Sequence, residues 1–178
     1  MSKTGKKLHL GCGSEILEGW VNHDLADLPG VDVVHDLNSF PWPFPDNEFS
    51  ELKAINLLEH LPETVRVIEE IHRVCADGAK VVIRVPYWNS PDMITDPTHR
   101  VFFNQFSLDY FDESRVYCQR RPYYSKARFH IDSIGYYIRF FRYWLIKNAL
   151  LKMPLSFLSR YLGGIIWVLE FEMTAEKK

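Results

Sequence analysis

The residues best suited to chemistry begin with a glycine turn. Leu8, His9, Leu10, Gly11, Cys12 and Gly13 form a short apolar run that ends in two glycines separated by one small residue. Glycine takes positive-φ turns without steric cost and lets a ligand lie against bare backbone. A strand entering such a turn and then opening a helix suits a nucleotide-like ligand. Two acids follow in step with later apolar runs, Asp24 after Trp20, Val21, Asn22 and His23, and Asp36 after Val33, Val34 and His35. A further cluster, Asp96, Pro97, Thr98, His99 and Arg100, follows the β-branched run Val81, Val82, Ile83, Arg84, Val85. In an open α/β sheet the ligand crevice lies beyond the carboxyl ends of the strands, where this loop falls. His99 is the candidate base, Asp96 the group to orient it and Arg100 the holder of an anionic group. The bland alternative is an aspartate capping a turn, at 24, 36 or 96 alike. His60 heads a predicted helix, where packing or capping is its expected role. His23–Asp24 and His35–Asp36 do not have metal-ligand spacing, so no metal is expected.

The elements that must position these groups read as alternating strands and helices. Strands are predicted over residues 7–10, 20–24, 31–36, 51–57, 79–85, 129–138 and 165–173. A turn or two of helix is expected over 14–19. The clearest helix spans 62–75, with Pro62 at its first position and Asp77–Gly78 as its stop. Val65, Ile68, Ile71 or His72, and Cys75 form its apolar stripe. A short helix is expected over 107–111 and an aromatic, basic helical stretch over 138–162, interrupted at Pro154. This alternation predicts an α/β fold: a Rossmann-like, doubly wound, mostly parallel sheet of about seven strands, the last antiparallel, in a three-layer sandwich.

The chain has 178 residues, most simply one domain, with residues 115–178 as a basic, aromatic part that would complete the sheet and a substrate lid. Its three cysteines, Cys12, Cys75 and Cys118, are odd in number and dispersed. This favours a reducing compartment over a disulfide frame. The polar start, Met1 to Lys7, carries no apolar segment of a signal peptide, and no uncharged stretch nears the roughly 20 residues a bilayer span needs. A cytoplasmic location is the expectation. The net charge of −2 hides an asymmetry. Arg115 to Arg160 holds ten basic residues and the single acid Asp132, against eleven bases and twenty-two acids elsewhere. That half is either a solvated basic face or a surface for an anionic partner.

The ordered pattern resembles a short class I S-adenosylmethionine-dependent methyltransferase of the type 11 kind. The resemblance rests on Leu10–Gly11–Cys12–Gly13, on Asp24, on Asp36–Leu37, on Phe44–Pro45–Asp46–Asn47–Glu48–Phe49, on Asn56–Leu57–Leu58–Glu59–His60–Leu61, and on the ending Arg73–Val74–Cys75–Ala76–Asp77–Gly78. Together these cover residues 7–111, and the resemblance implies a cofactor-binding core over residues 1–114. The resemblance implies that Gly11, Cys12 and Gly13 pass under the methionine and ribose of S-adenosylmethionine. It implies that Asp24, beside Leu25, accepts from both ribose hydroxyls, that Asp36 meets the adenine amine with Leu37 on the ring, and that Ile55 and Asn56 contact the methionine end. S-adenosylhomocysteine is the implied product. Two positions depart from the family: His9 stands where an acid is common, and Glu15 replaces the third glycine.

Methyl transfer from a sulfonium needs alignment above all, and a base only where the nucleophile must lose a proton. Tyr87 and Trp88 are candidates to line the pocket beside the sulfonium. Arg120 and Arg121, in the run Arg120–Arg121–Pro122–Tyr123–Tyr124, are candidates to bind an anionic acceptor, such as a phosphate- or carboxylate-bearing glycan or lipid-linked intermediate. Peripheral membrane contact stays open, although positions 139, 142, 147 and 152 do not share one helical face. Nucleic acid is not expected, since no reading module is recognisable. The competing readings are a non-catalytic module that binds the cofactor and a nicotinamide-dependent oxidoreductase. The latter fails on spacing, because Asp24 follows Gly13 too closely and the third glycine is missing.

Overall fold

β-branched and apolar runs pair into a single eight-stranded sheet in the computed structural model, which describes residues 5–139, 143–147 and 149–177. The strands are β1 (Lys6–Leu10), β2 (Val21–Asp24), β3 (Val33–Val34), β4 (Phe49–Ile55), β5 (Cys75–Pro86), β6 (Phe129–Arg139), β7 (Tyr143–Ile146) and β8 (Ile166–Ala175). Their order is β3-β2-β1-β4-β5-β8-β6-β7. The first five strands are mutually parallel, and β8 enters antiparallel between β5 and β6. The mostly parallel sheet and its antiparallel ending agree with the sequence reading.

Among the described residues, four α-helices accompany the sheet: α1 (Thr64–Val74), α2 (Pro91–Thr95), α3 (Val116–Arg120) and α4 (Ala149–Tyr161). Helix α1 lays Val67, Ile68, Ile71 and Val74 on the core, a stripe with the i, i+4, i+7 spacing of one face. The stripe does not include Val65, which is 40% exposed, and the helix starts two residues later than Pro62 suggests. Ahead of it, the proline-rich loop is fixed by Arg73. Its guanidinium donates to both Glu70 carboxylate oxygens at 2.7 Å, to the carbonyls of Phe44 and Trp42, and to Asp46 Oδ1.

Several boundaries differ from expectation. The chain over 14–19 forms turns and no helix. The helix stop is at Cys75, which is already extended (ψ 139°). Gly78 (φ +74°) instead lies inside β5, where pairing with β4 jumps from Cys75 to Lys80. Residues 107–111 hold a 3₁₀ turn at Asp109–Phe111. The largest departure is the stretch predicted helical over 138–162: β6 runs on to Arg139, and β7 returns against it before α4 begins. Pro154 is accommodated inside α4. The aromatic residues of β7 carry a strand, for which periodicity over so short a run gives no warning. Met1–Thr4 and Arg142, both weighed above, lie outside the described residues.

Candidate functional site

The carboxyl ends of the parallel strands open into a cavity of about 680 Å³. Its wall takes Gly11 from the end of β1, Asp24 and Leu25 from the end of β2, and His35, Asp36, Leu37 and Asn38 after β3. Leu57, His60, Leu61, Pro62 and Glu63 close it from the β4–α1 connection, and Thr98 and Arg100 from the loop after α2. Residues far apart in sequence meet here because parallel pairing aligns the strand ends.

Gly11 has φ +63°, and a Cβ added there would meet Leu57 Cδ1 at 2.8 Å. Only glycine fits both demands without strain. Gly13, also left-handed (φ +51°), donates its N–H to Asp24 Oδ2 at 2.7 Å. Asp24 Oδ1 accepts from Ala26 N at 3.0 Å. The carboxylate therefore ties the glycine turn to β2 while lining the cavity, and each oxygen keeps a further lone pair. Asp36 Oδ1 accepts from the backbone and side-chain nitrogens of Asn38, both at 2.9 Å, which hold its carboxyl below the ordinary range. Leu37 is buried, whereas Leu25 is 68% exposed.

Cys12 is buried, and burial pushes its thiol pKa up. His9, one of the two departures from the family pattern, is a core residue on β1. Burial lowers its pKa, disfavouring the charged imidazolium.

A second cavity of about 410 Å³ adjoins through His60; its wall includes Asn56, Glu59, Pro86, Asp92, Thr95, Asp96 and His99. Asn56 turns the chain out of β4 at φ +50° and donates to Arg84 O at 2.8 Å. Ile55 pairs with Arg84 in β5 and lines neither cavity. The Glu59 carbonyl accepts from Arg100 N and Val101 N, at 2.8 and 3.0 Å, and so binds the α2 loop to the β4–α1 connection. The Glu59 side chain is fully buried, and burial pushes its pKa up to about 7. His60 is shifted down, first by burial and then by His99.

His99 is not oriented by Asp96 through a hydrogen bond. Its Nδ1 sits 3.0 Å from Met93 O, while Nε2 lies 3.8 Å from Glu59 Oε1 and 3.9 Å from Asp96 Oδ2. Asp96 Oδ1 accepts from the Thr98 hydroxyl at 2.6 Å, and that hydroxyl lies 3.0 Å from His60 Nδ1. Asp96 thus fixes His60 through Thr98.

The remaining candidates lie apart. Tyr87 is buried, with its hydroxyl 3.4 Å from Gln105 Oε1 and from Ser159 Oγ. Trp88 is half-exposed beside it and lines neither cavity. Arg120 ends α3 and Arg121 follows it with its guanidinium over Tyr124, both away from the two cavities. Glu59 was missed because one acid inside the apolar run Leu57–Leu58–Glu59–His60–Leu61 has no periodicity that sets it apart. Its only sequence signal was that position itself, an ionisable group in a run otherwise bound for the core.

No family model matches the sequence, and no curated protein matches it significantly. Solved structures do match along nearly the whole chain. One, described as a SAM-dependent methyltransferase from Archaeoglobus fulgidus, is 18% identical with a TM-score of 0.62, over 97% of this chain and 87% of that one. A chain from the complex between the Haloferax volcanii Trm112 methyltransferase activator and a methyltransferase partner is 14% identical (TM-score 0.58; 97% and 83% covered). The [4+2]-cyclase SpnF is 13% identical (TM-score 0.57; 98% and 75% covered). The chain thus has the Rossmann-like fold of the class I S-adenosylmethionine-dependent methyltransferases.

Proposed function

We propose that this chain binds S-adenosylmethionine in the larger cavity and transfers its methyl group to a small acceptor held in the adjoining one. The observation that carries the reading is the convergence of Gly11, Asp24, Asp36 and Leu37 on one cavity at the ends of β1, β2 and β3. The residues present fit the cofactor. The bare backbone of Gly11 leaves room that a Cβ would fill. The free lone pairs of Asp24 suit a ribose diol, Asp36 suits the adenine amine, and Leu37 gives the ring an apolar floor. Gly13 and Cys12 support the turn from behind, with Ile55 behind Asn56 at the methionine end. Bound there, the sulfonium supplies a methyl group already activated for displacement.

The chain's own part is alignment, which can supply much of the acceleration. His60 stands between the two cavities, Asn56 lines the smaller one, and Arg100 offers a cation to an anionic group from the wall of the larger. A proton that the acceptor must lose leaves toward Glu59 and His99, with Asp96 holding Thr98. Arg120, Arg121, Tyr87 and Trp88 line neither cavity, which favours a small acceptor over a large glycan or lipid-linked one.

Calorimetry with S-adenosylmethionine tests this directly. The wild type is expected to bind, and Asp24→Ala to weaken binding about 10- to 100-fold, as loss of hydrogen bonds to a charged group implies. Because Asp24 also holds Gly13, the more exposed Asp36, whose bonds stay within its own turn, gives the companion variant Asp36→Ala, expected to weaken binding several-fold in a chain that stays folded. A folded wild type that takes up no S-adenosylmethionine overturns the reading. The similarity to SpnF, described as a cyclase, favours a second reading in which the cofactor is held without methyl transfer. Binding without methyl release in the presence of candidate acceptors would select it.

A further inference from the structure

We propose that Glu59, His60 and His99 hold one divalent metal ion of the zinc class at the wall of the second cavity. One nitrogen from each ring and one Glu59 carboxylate oxygen lie within 4.8 Å of one another. The two imidazoles meet edge to face, with centroids 4.7 Å apart. All three residues line the second cavity, so an ion among them has an approach from solvent.

The hydrogen bonds around the cluster fix where its protons are. Asp96 Oδ1 can only accept, so the Thr98 hydroxyl spends its one proton there, at 2.6 Å. Thr98 Oγ1 then accepts from His60 Nδ1 at 3.0 Å, and His60 keeps its lone pair on Nε2. The Met93 carbonyl likewise can only accept. His99 Nδ1 therefore carries the proton facing it at 3.0 Å, and Nε2 keeps the lone pair that looks toward Glu59 Oε1, 3.8 Å away. The Glu59 side chain is 0% exposed, and neither of its oxygens has a hydrogen-bond donor among the described residues.

Each ring thus keeps one lone pair for an ion, and neither Glu59 oxygen has a donor to hold it among the described residues. Buried carboxylates are ordinarily paired or bound to a metal. The proton on the far ring nitrogen, held by a carbonyl or by a hydroxyl backed with a carboxylate, is the outer arrangement that metal-bound histidines use.

Two imidazoles and a carboxylate suit zinc and its first-row neighbours better than calcium or magnesium. Three protein ligands leave a fourth position open, and here it faces the second cavity. Bonds of about 2.1 Å set tetrahedral ligands roughly 3.4 Å apart, so loading draws the ligand atoms together by at most about 1.4 Å from their span of no more than 4.8 Å. With the ion bound, Glu59 and His99 act as ligands and neither is a free base.

The test uses the full chain, stripped with a chelator and titrated with Zn²⁺ against a chromogenic competitor in the absence of S-adenosylmethionine. The wild type is expected to take up one equivalent with submicromolar affinity, and to melt at a higher temperature with Zn²⁺ present. Affinity should fall at least 100-fold in His60→Ala and at least tenfold in the isosteric Glu59→Gln. His60 is only half-buried, so its variant is expected to stay folded and to keep the test interpretable. Uptake by the wild type no greater than by His60→Ala, with no Zn²⁺-dependent shift in melting, overturns the proposal and leaves a proton as what the cluster holds. Since no cofactor enters the experiment, its outcome stands apart from that of the methyl-transfer reading.

Discussion

At the scale of single residues, Asp112 shows how a buried carboxylate is stabilised by the donors around it. Its side chain is 3% exposed. Oδ2 accepts from Ile131 N at 2.9 Å, and Oδ1 from the Ser114 backbone and hydroxyl at 2.8 and 2.7 Å. Burial pushes its pKa up, but these donors outweigh it and the net shift is down. In the unfolded chain the group titrates near the ordinary value of about 3.9. Its contribution to stability is therefore full above that value and is lost as the pH falls through the depressed folded pKa. Asp112→Asn should cost about 2 kcal/mol at neutral pH and flatten the acid limb of the stability profile. Denaturant unfolding between neutral and acid pH checks both. Asp24 and Asp36 were legible as site candidates because each ends a run that reads as a strand, and parallel strands bring such ends together. Glu59 and His99 were not legible as a pair. They meet only because the Glu59 carbonyl catches the backbone of Arg100 and Val101, a contact that no local pattern encodes.

At the scale of elements, one polar group ties three neighbouring strands. Glu170 on β8 accepts from Arg84 on β5 at 2.6 Å and from Tyr137 on β6 at 3.0 Å, and Arg84 also reaches the Tyr137 hydroxyl at 2.9 Å. Glu170 is nearly buried, while the Arg84 side chain is 35% exposed. Removing the acid strands a partly hydrated cation, so the cost falls below that of breaking a fully buried pair. Glu170→Ala should lose about 2 kcal/mol and Glu170→Gln about half as much, read as midpoints in urea. Strand existence was well marked by β-branched residues such as Val81, Val82 and Ile83. Strand ends were not, because tertiary contacts set them. Gly78 looks like a helix stop but sits inside β5, and Tyr143 to Ile146 look helical in composition but pair with β6.

At the scale of the whole molecule, the two halves of the chain are joined by the strand made last. The cavity stands over β1 to β4, while the basic half supplies β6, β7 and β8 on the far side of β5. Part of the charge asymmetry resolves as pairs between bases of that half and acids outside it: Arg115 with Asp112, Arg128 with Glu113, and Lys147 with Glu172. The apolar side chains of Leu150, Met153, Phe157 and Tyr161 on α4 are instead exposed, and among the described residues no helix is long and apolar enough to cross a membrane. β8 pairs with β5 along Lys80 to Pro86 and with β6 along Phe129 to Ile138. Until it inserts, β5 and β6 each present an unpaired edge, and the buried Leu169, Phe171 and Met173 have no core to join. A chain ending at Gly164 should therefore fail to reach the native state, although every residue of the larger cavity is still present. Near-ultraviolet circular dichroism and limited proteolysis report the result. A truncated chain that melts cooperatively would show that the parallel half folds without its antiparallel seam.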